Sequence, residues 1–505
     1  MTNPLYDALF APHAGSERPF LELPGAGMVT YGAFVERAAR LATVLSELGL
    51  APGDRLAVQV EKSPDALALY AASVQNGVVL LPLNTAYTPA ELAYFVENSD
   101  AALFVCDPGK ADALAGIAES AGARLETLGT QGDGSLARAA DTASPRKEVA
   151  ERSEDDLAAL LYTSGTTGRS KGAMLSQRNL LSNAEALRAL WGFTEDDVLL
   201  HALPIYHTHG LFVATNVMLL AGGSMIFLPK FDVDAVIEAL PRATAMMGVP
   251  TFYTRLLDDP RLNRDLVAHM RLFISGSAPL LPETHRAWEA RTGHRILERY
   301  GMTETGMNSS NPLEGARKPG TVGLPLPGVE LRVTDPQTGA ELPTGEIGMV
   351  EVRGPNVFQG YWRMPEKTAE EFRDDGFFIT GDLGMFDEDG YLTIVGRGKD
   401  LIISGGLNVF PREVEEAIDA VPGVKESAVI GAPHPDFGEG VVAVVVREPG
   451  ASVSPEDIAA ALKERLAAFK RPKRIEFVDE LPRNTMGKVQ KNLLRERFAK
   501  VFAEG

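Results

Sequence analysis

An alternation of helical and extended patterns through about the first 395 residues constrains this chain more than any other feature. Tyr31 to Leu50 place apolar residues at helical spacing and run into Gly49, a helix stop. Asp54 to Val60 then read as a strand, Pro64 to Gly77 as a helix and Val78 to Leu83 as another strand. Such alternation predicts parallel βαβ units with helices on both faces of a sheet. After about Gly320 the texture changes. Short alternating strands at 328–335, 348–354 and 390–397 are separated by Gly, Pro and Asp turns, which reads as a smaller β-rich subdomain. A break falls at Gly396-Arg397-Gly398-Lys399-Asp400, and about 105 residues of compact α+β character follow. The expected class is α/β. Residues 1–398 would form a large N-terminal domain of α/β/α layers plus the β-rich part, and 399–505 a small α+β C-terminal domain.

Charge narrows the partners. Among 505 residues, 49 basic and 68 acidic side chains give −19, a surface that repels nucleic acid. Basic residues do gather late, at 463–477 and 482–500; these read either as a solvated helix face or as a local site for a phosphorylated small molecule. Leu211 to Pro229 carry no charge over nearly a bilayer's width, but Asn216 and Gly222-Gly223 divide them into a helix, a turn and a strand. No membrane span is expected. The single cysteine, Cys106, excludes an intramolecular disulfide and a clustered thiol metal site. The opening MTNPLYDALF lacks the basic region and apolar run of a secretory signal, so a cytoplasmic protein is expected.

The most informative stretch is Tyr162-Thr163-Ser164-Gly165-Thr166-Thr167-Gly168-Arg169-Ser170-Lys171-Gly172, which follows a strand-like apolar run. Glycines, hydroxyls and two cations in so short a span suit a loop wrapped round an anion, with backbone N–H groups donating and Lys171 adding charge. The adjacent Gly-Lys-Ser/Thr of a Walker A loop is absent.

This loop resembles the phosphate-loop signature of the acyl-adenylate-forming superfamily, which includes acyl-CoA synthetases, peptide-synthetase adenylation domains and luciferases. Further matches follow in the family's order. Tyr300-Gly301-Met302-Thr303-Glu304 resembles its adenine and magnesium motif, and Thr380-Gly381-Asp382 its ribose motif. Gly396 to Asp400 resembles its hinge, and Asn484-Thr485-Met486-Gly487-Lys488 its C-terminal catalytic motif. The resemblance covers about residue 25 to residue 500.

It implies a two-step reaction in which a carboxylate attacks the α-phosphorus of ATP and a thiol then takes the acyl group. Lys488, Glu304 and Thr163 would be catalytic, with Lys488 touching both carboxylate and α-phosphate and Glu304 holding Mg²⁺. Tyr300 would face adenine, while Asp382 and Arg397 would hold the ribose. Gly276, Ser277, Ala278, Glu298, Gly301, Met302 and Thr303 would complete the nucleotide pocket. Coenzyme A is the expected thiol, since Cys106 lies far from every motif. Lys399 would be the hinge. Ser404, Gly405, Gly406, Leu407 and Arg471 would meet coenzyme A, although the basic run around Arg471 reads equally as a solvated face. Lys488 is also a candidate target for regulatory acetylation by a lysine acetyltransferase and reversal by a deacetylase.

Substrate choice is expected between Ile205 and about Met307. His207 and His209 lack an acidic or thiol third ligand, which argues against a metal; the resemblance implies a place for His207 at the acyl pocket. Ser277 sits in a turn, and Arg286 follows on a helix starting near Pro282. A guanidinium suits a second carboxylate on the substrate. The wider pattern of ALPIYHTHGLF, MGVPTFYTRLL and HMRLFISGSAPL resembles malonyl-CoA synthetases, which implies Ser277 and Arg286 on the far carboxylate of malonate or methylmalonate. The alternatives are a stand-alone adenylation protein loading a carrier-protein thiol, or a ligase for another short carboxylate. A non-catalytic nucleotide sensor would have lost Lys488, Glu304 or Asp382, and all three are present.

Overall fold

The computed structural model describes residues 3–163, 170–405, 407–484 and 487–502. Two large sheets build the first part of the chain. One has six strands in the order Arg124–Thr127, Ala101–Cys106, Arg55–Gln59, Val79–Pro82, Leu157–Thr163, Lys171–Ser176, all parallel except the last. The other has nine, with parallel strands at its centre and antiparallel ribbons at both edges. The alternating pattern is thereby realised as crossover-connected parallel sheets.

Helices Tyr31–Glu47 and Pro64–Asn76 join these sheets. Thr30 and Ser63 cap them, each accepting an N–H of the first turn. The second helix ends at Gly77, whose φ of 66° is the left-handed stop. Every residue from Ala66 to Asn76 is buried, as expected for a helix with sheet on both sides. One apolar cluster runs from Leu56, Leu80 and Leu103 of the six-stranded sheet to Leu199, Met225 and Leu272 of the nine-stranded one.

A four-stranded antiparallel sheet, Glu330–Thr334, Gly348–Arg353, Phe378–Phe386 and Leu392–Arg397, forms the β-rich part. The small C-terminal domain holds a five-stranded sheet and two apolar clusters drawn wholly from residues 402–502. The uncharged stretch from Leu211 folds as a buried π-helical turn, His209–Thr215, then helix Asn216–Ala221 and strand Ser224–Phe227. Among the described residues, no helix is long and apolar enough to cross a membrane.

Candidate active site

Strands Leu297–Met302 and Gly306–Ser310 pair as a hairpin with Thr303 and Glu304 at its tip. The turn is so close that a Cβ on Gly301 would stand 2.0 Å from the Gly306 carbonyl, so only glycine fits. Glu304 is 6% exposed. Its Oε1 accepts from the Tyr361 phenol at 3.1 Å and from the Thr163 hydroxyl at 3.4 Å. Burial raises its pKa. Tyr361 also reaches Glu371 at 2.7 Å, and that carboxylate accepts from Lys171 at 2.9 Å. Burial alone would raise Glu371, but Lys171, Tyr361 and Lys367 together hold it below its ordinary value.

Lys171 therefore corrects one expectation. Its ammonium is nearly buried, bound to Glu371 and stacked 3.9 Å over the Tyr361 ring, rather than free for a phosphate. Its charge also lowers the pKa of Glu304, against the larger effect of burial. Ser164, Gly165, Thr166, Thr167 and Gly168 lie outside the described residues, as does Gly406.

Asp382 and Arg397 face one another across paired strands. The Arg397 guanidinium meets Asp382 Oδ1 at 2.7 Å, and the Tyr300 hydroxyl donates to Oδ2 at 2.6 Å. A carboxylate has about four acceptor sites, so capacity remains for sugar hydroxyls. The Tyr300 ring itself packs against Val333, Val350 and Leu392.

Lys488 comes from the small domain. Asn484 accepts its backbone N–H at 2.9 Å, and the two residues close a tight turn. A Cβ on Gly487 would lie 3.4 Å from Thr251 of the large domain. The ammonium stands within electrostatic reach of Arg397, Asp382, Glu304 and Arg299, and its surroundings lower its pKa, burial first. Its surface is nonetheless exposed, as befits a group in an open cleft. A second interdomain tie runs from Arg412 to the Ile394 carbonyl at 2.5 Å. In the segment expected to be the hinge, burial lowers the pKa of Lys399, and Arg495 grips Asp400.

His207, His209, Ser277 and Arg299 form a partly buried group within electrostatic reach of Lys488. His207 is pushed down to about 3 by burial, then by Lys488 and Arg299. Its Nδ1 accepts the His209 N–H at 3.3 Å, leaving Nε2 as the protonated nitrogen. Arg299 is 4% exposed, and among the described residues its Nε and Nη2 have no partner. Burial without a carboxylate pulls the guanidinium down to about 9, so it stays charged at neutral pH. It packs on Gly276, where a Cβ would come within 2.3 Å of its central carbon. Ser277 follows with a φ of 72° and a hydroxyl 3.2 Å from His209 Nδ1. Ala278 and Met302 are half-buried nearby in the chain.

Two further expectations are corrected. Helix Pro282–Thr292 turns His285, Trp288 and Thr292 inward, so Arg286 points out, 65% exposed and 3.5 Å from Glu283. Arg299, not Arg286, is the buried arginine beside Gly276 and the Ser277 turn. Glu298, expected at the nucleotide, is 5% exposed and occupied by His285 at 3.0 Å and by the Gly320 N–H at 3.3 Å. The coenzyme A candidates are spread differently. Ser404 is buried, Leu407 is 48% exposed, and Arg471 donates to the Leu466 carbonyl.

Among the described residues, no group of three His, Cys, Asp or Glu side chains could hold a metal unaided. The buried Glu304 carboxylate, a single hard oxygen donor with neutral hydroxyl neighbours, fits a Mg²⁺ whose remaining ligands are phosphate and water oxygens.

Comparison with known proteins agrees with this geometry. The AMP-binding enzyme profile matches residues 12–362, and the profile of the AMP-binding enzyme C-terminal domain matches 413–488. The chain belongs to the AMP-binding enzyme family, and it is an AMP-forming acid–CoA ligase with ATP and coenzyme A as substrates. It is 61% identical to ATP-bound MatB from Rhodopseudomonas palustris, with a TM-score of 0.98 over 99% of this chain and 100% of that one. It is 35% identical to the malonate–CoA ligase of Arabidopsis thaliana over 89% of this chain and 78% of that protein. A feruloyl-CoA synthase from an Amycolatopsis species is 37% identical over 98% of both.

Proposed function

We propose that the acid is malonate, joined to coenzyme A through malonyl-AMP with release of AMP and pyrophosphate, and that methylmalonate enters the same pocket. Arg299 carries this reading. An apolar or aryl tail would leave its buried guanidinium unpartnered, which is costly. A second carboxylate supplies the missing partner in a bidentate geometry. His207 lies within electrostatic reach of both Lys488 and Arg299, and two such cations suit the two carboxylates of a short diacid. The malonate–CoA ligase named above supports the same substrate, while the feruloyl-CoA synthase means that overall likeness alone does not choose the acid.

In the first step a carboxylate oxygen bonds to the α-phosphorus, and the bond to pyrophosphate breaks. Negative charge grows at that phosphorus, and the Lys488 ammonium is preorganised beside it. Loss of one such contact typically costs about 2.7–4 kcal/mol. Asp382 and Arg397 hold the ribose, with Tyr300 bracing the carboxylate from behind. Glu304, which accepts the Thr163 hydroxyl, would hold Mg²⁺, and the ion would neutralise phosphate charge. In the second step the thiol of coenzyme A attacks the acyl carbon and AMP leaves. We assign residues 1–398 and 399–505 to two bodies that turn about Lys399 between the steps, withdrawing Lys488 and presenting the Ser404–Leu407 segment and Arg471 to coenzyme A.

Pyrophosphate release with MgATP and coenzyme A, compared for malonate, methylmalonate, propionate and octanoate, tests this. Strong preference for the two diacids is expected. Preference for a monoacid keeps the adenylation chemistry but removes the role of Arg299.

A further inference from the structure

His209 is 1% exposed, lies beside the acyl pocket and has no part in the chemistry above. Its Nδ1 stands 3.2 Å from the Ser277 hydroxyl, and its Nε2 has no partner among the described residues. Burial, followed by the charges of Arg299, His207 and His201, keeps the ring neutral, so it carries one N–H.

Two tautomers remain. With the proton on Nε2, Ser277 would donate to Nδ1 and turn its lone pairs toward any incoming anion. The bare Nε2–H would then be a buried donor without an acceptor, the rarer and costlier kind of orphan. With the proton on Nδ1, the ring donates to Ser277 Oγ, and the serine O–H is free to donate outward. Ser277 is held for this purpose in the left-handed region at φ 72°, a conformation that a serine keeps only when its surroundings impose it.

We propose that His209 is a positioning residue whose Nδ1–H fixes the Ser277 hydroxyl as a donor to the far carboxylate that Arg299 binds, a role that rests on the diacid reading. The chain of donors runs His209 Nδ1–H to Ser277 Oγ–H to carboxylate. No bond is made or broken in it.

The test uses the full-length enzyme and pyrophosphate release, with KM measured for malonate, propionate and ATP. An asparagine amide reaches the Nδ1 position, whereas a glutamine amide reaches Nε2. We expect H209L and H209Q to raise the malonate KM about tenfold or more with the ATP KM within about twofold, and H209N to recover most of the loss. In an S277A background, H209L should add less than about twofold, because the two changes remove one interaction. Equal effects of H209N and H209Q, an unchanged malonate KM in H209L, or additive losses in the double variant would each overturn the role. If H209L does not fold, the H209N and H209Q pair decides. A wild type that uses propionate as well as malonate sinks the diacid reading and this role with it. A malonate-selective wild type with an insensitive His209 sinks only the role.

Discussion

The Tyr300 hydroxyl donates to Asp382 Oδ2 at 2.6 Å from within the apolar wall of the β-rich part, so a buried phenol braces the carboxylate assigned to the ribose. Burial and the Asp382 charge raise the phenol's pKa, which keeps it a donor at all working pH values. Tyr300→Phe keeps the packing and removes the donor. A hydrogen bond to a charged group contributes about 1.5–3 kcal/mol. The ATP KM should rise about tenfold or more while the malonate KM changes little; an unchanged ATP KM would separate Asp382 from nucleotide binding.

Arg299 and Arg286 should behave oppositely. Arg299→Met replaces an unpartnered buried cation with a side chain of similar length, so the melting temperature should hold or rise. The malonate KM should rise about 100-fold, the usual trade of function against stability. Arg286→Ala alters a surface pair with Glu283, which contributes about 0–1 kcal/mol. Its malonate KM should stay within about twofold. A large effect at Arg286 would reverse the assignment.

Lys488→Ala should lower adenylate formation about 100-fold or more, measured as pyrophosphate release. Thioester formation from supplied malonyl-AMP should be largely intact, as a role confined to the first step requires. Equal loss in both half-reactions would remove Lys488 from that role.

Asp419 links acidity to folding. Burial, then Glu415, Glu426 and Glu283, push its pKa up to about 7 against a Ser427 hydrogen bond that lowers it. Lys491 pairs with Glu415, Arg483 with Glu426 and Arg286 with Glu283, so the cluster is only partly neutralised. Folding therefore takes up a proton between the ordinary aspartate value and about 7. Stability should fall as pH rises through that window and level off above it. Asp419→Asn cannot ionise. Its advantage in melting temperature over wild type should be larger at pH 8 than at pH 5, and a constant difference would place Asp419 outside this effect.

The elements were legible where local pattern decides them. Tyr31–Glu47 followed from apolar spacing and a stop at Gly49, and Pro64–Asn76 as the next helix of the alternation. Glu304, Asp382, Arg397 and Lys488 were singled out by short motifs, and the fold brings the four within electrostatic reach of one another. Arg299 was not singled out. Leu297, Glu298, Arg299 and Tyr300 are all buried, so the two-residue period of a strand gave no face on which a cation would stand out. Arg286 misled for the complementary reason. A helix sequence does not say which stripe turns inward until His285, Trp288 and Thr292 find their neighbours. The pairing of Lys171 with Glu371 spans 200 residues and leaves no trace in either local pattern.

Cys106 has a consequence for an enzyme that makes an activated acyl group for a thiol. An acyl-adenylate will acylate any thiolate that can reach it. The chain's one thiol is 0% exposed, and burial pushes its pKa up to about 11, so it is both shut away and protonated at neutral pH. The enzyme is protected from modifying itself with its own intermediate. The same silence makes the wild-type chain a ready background for a single reporter thiol, placed on the exposed Leu407 to test the proposed turn of the small domain.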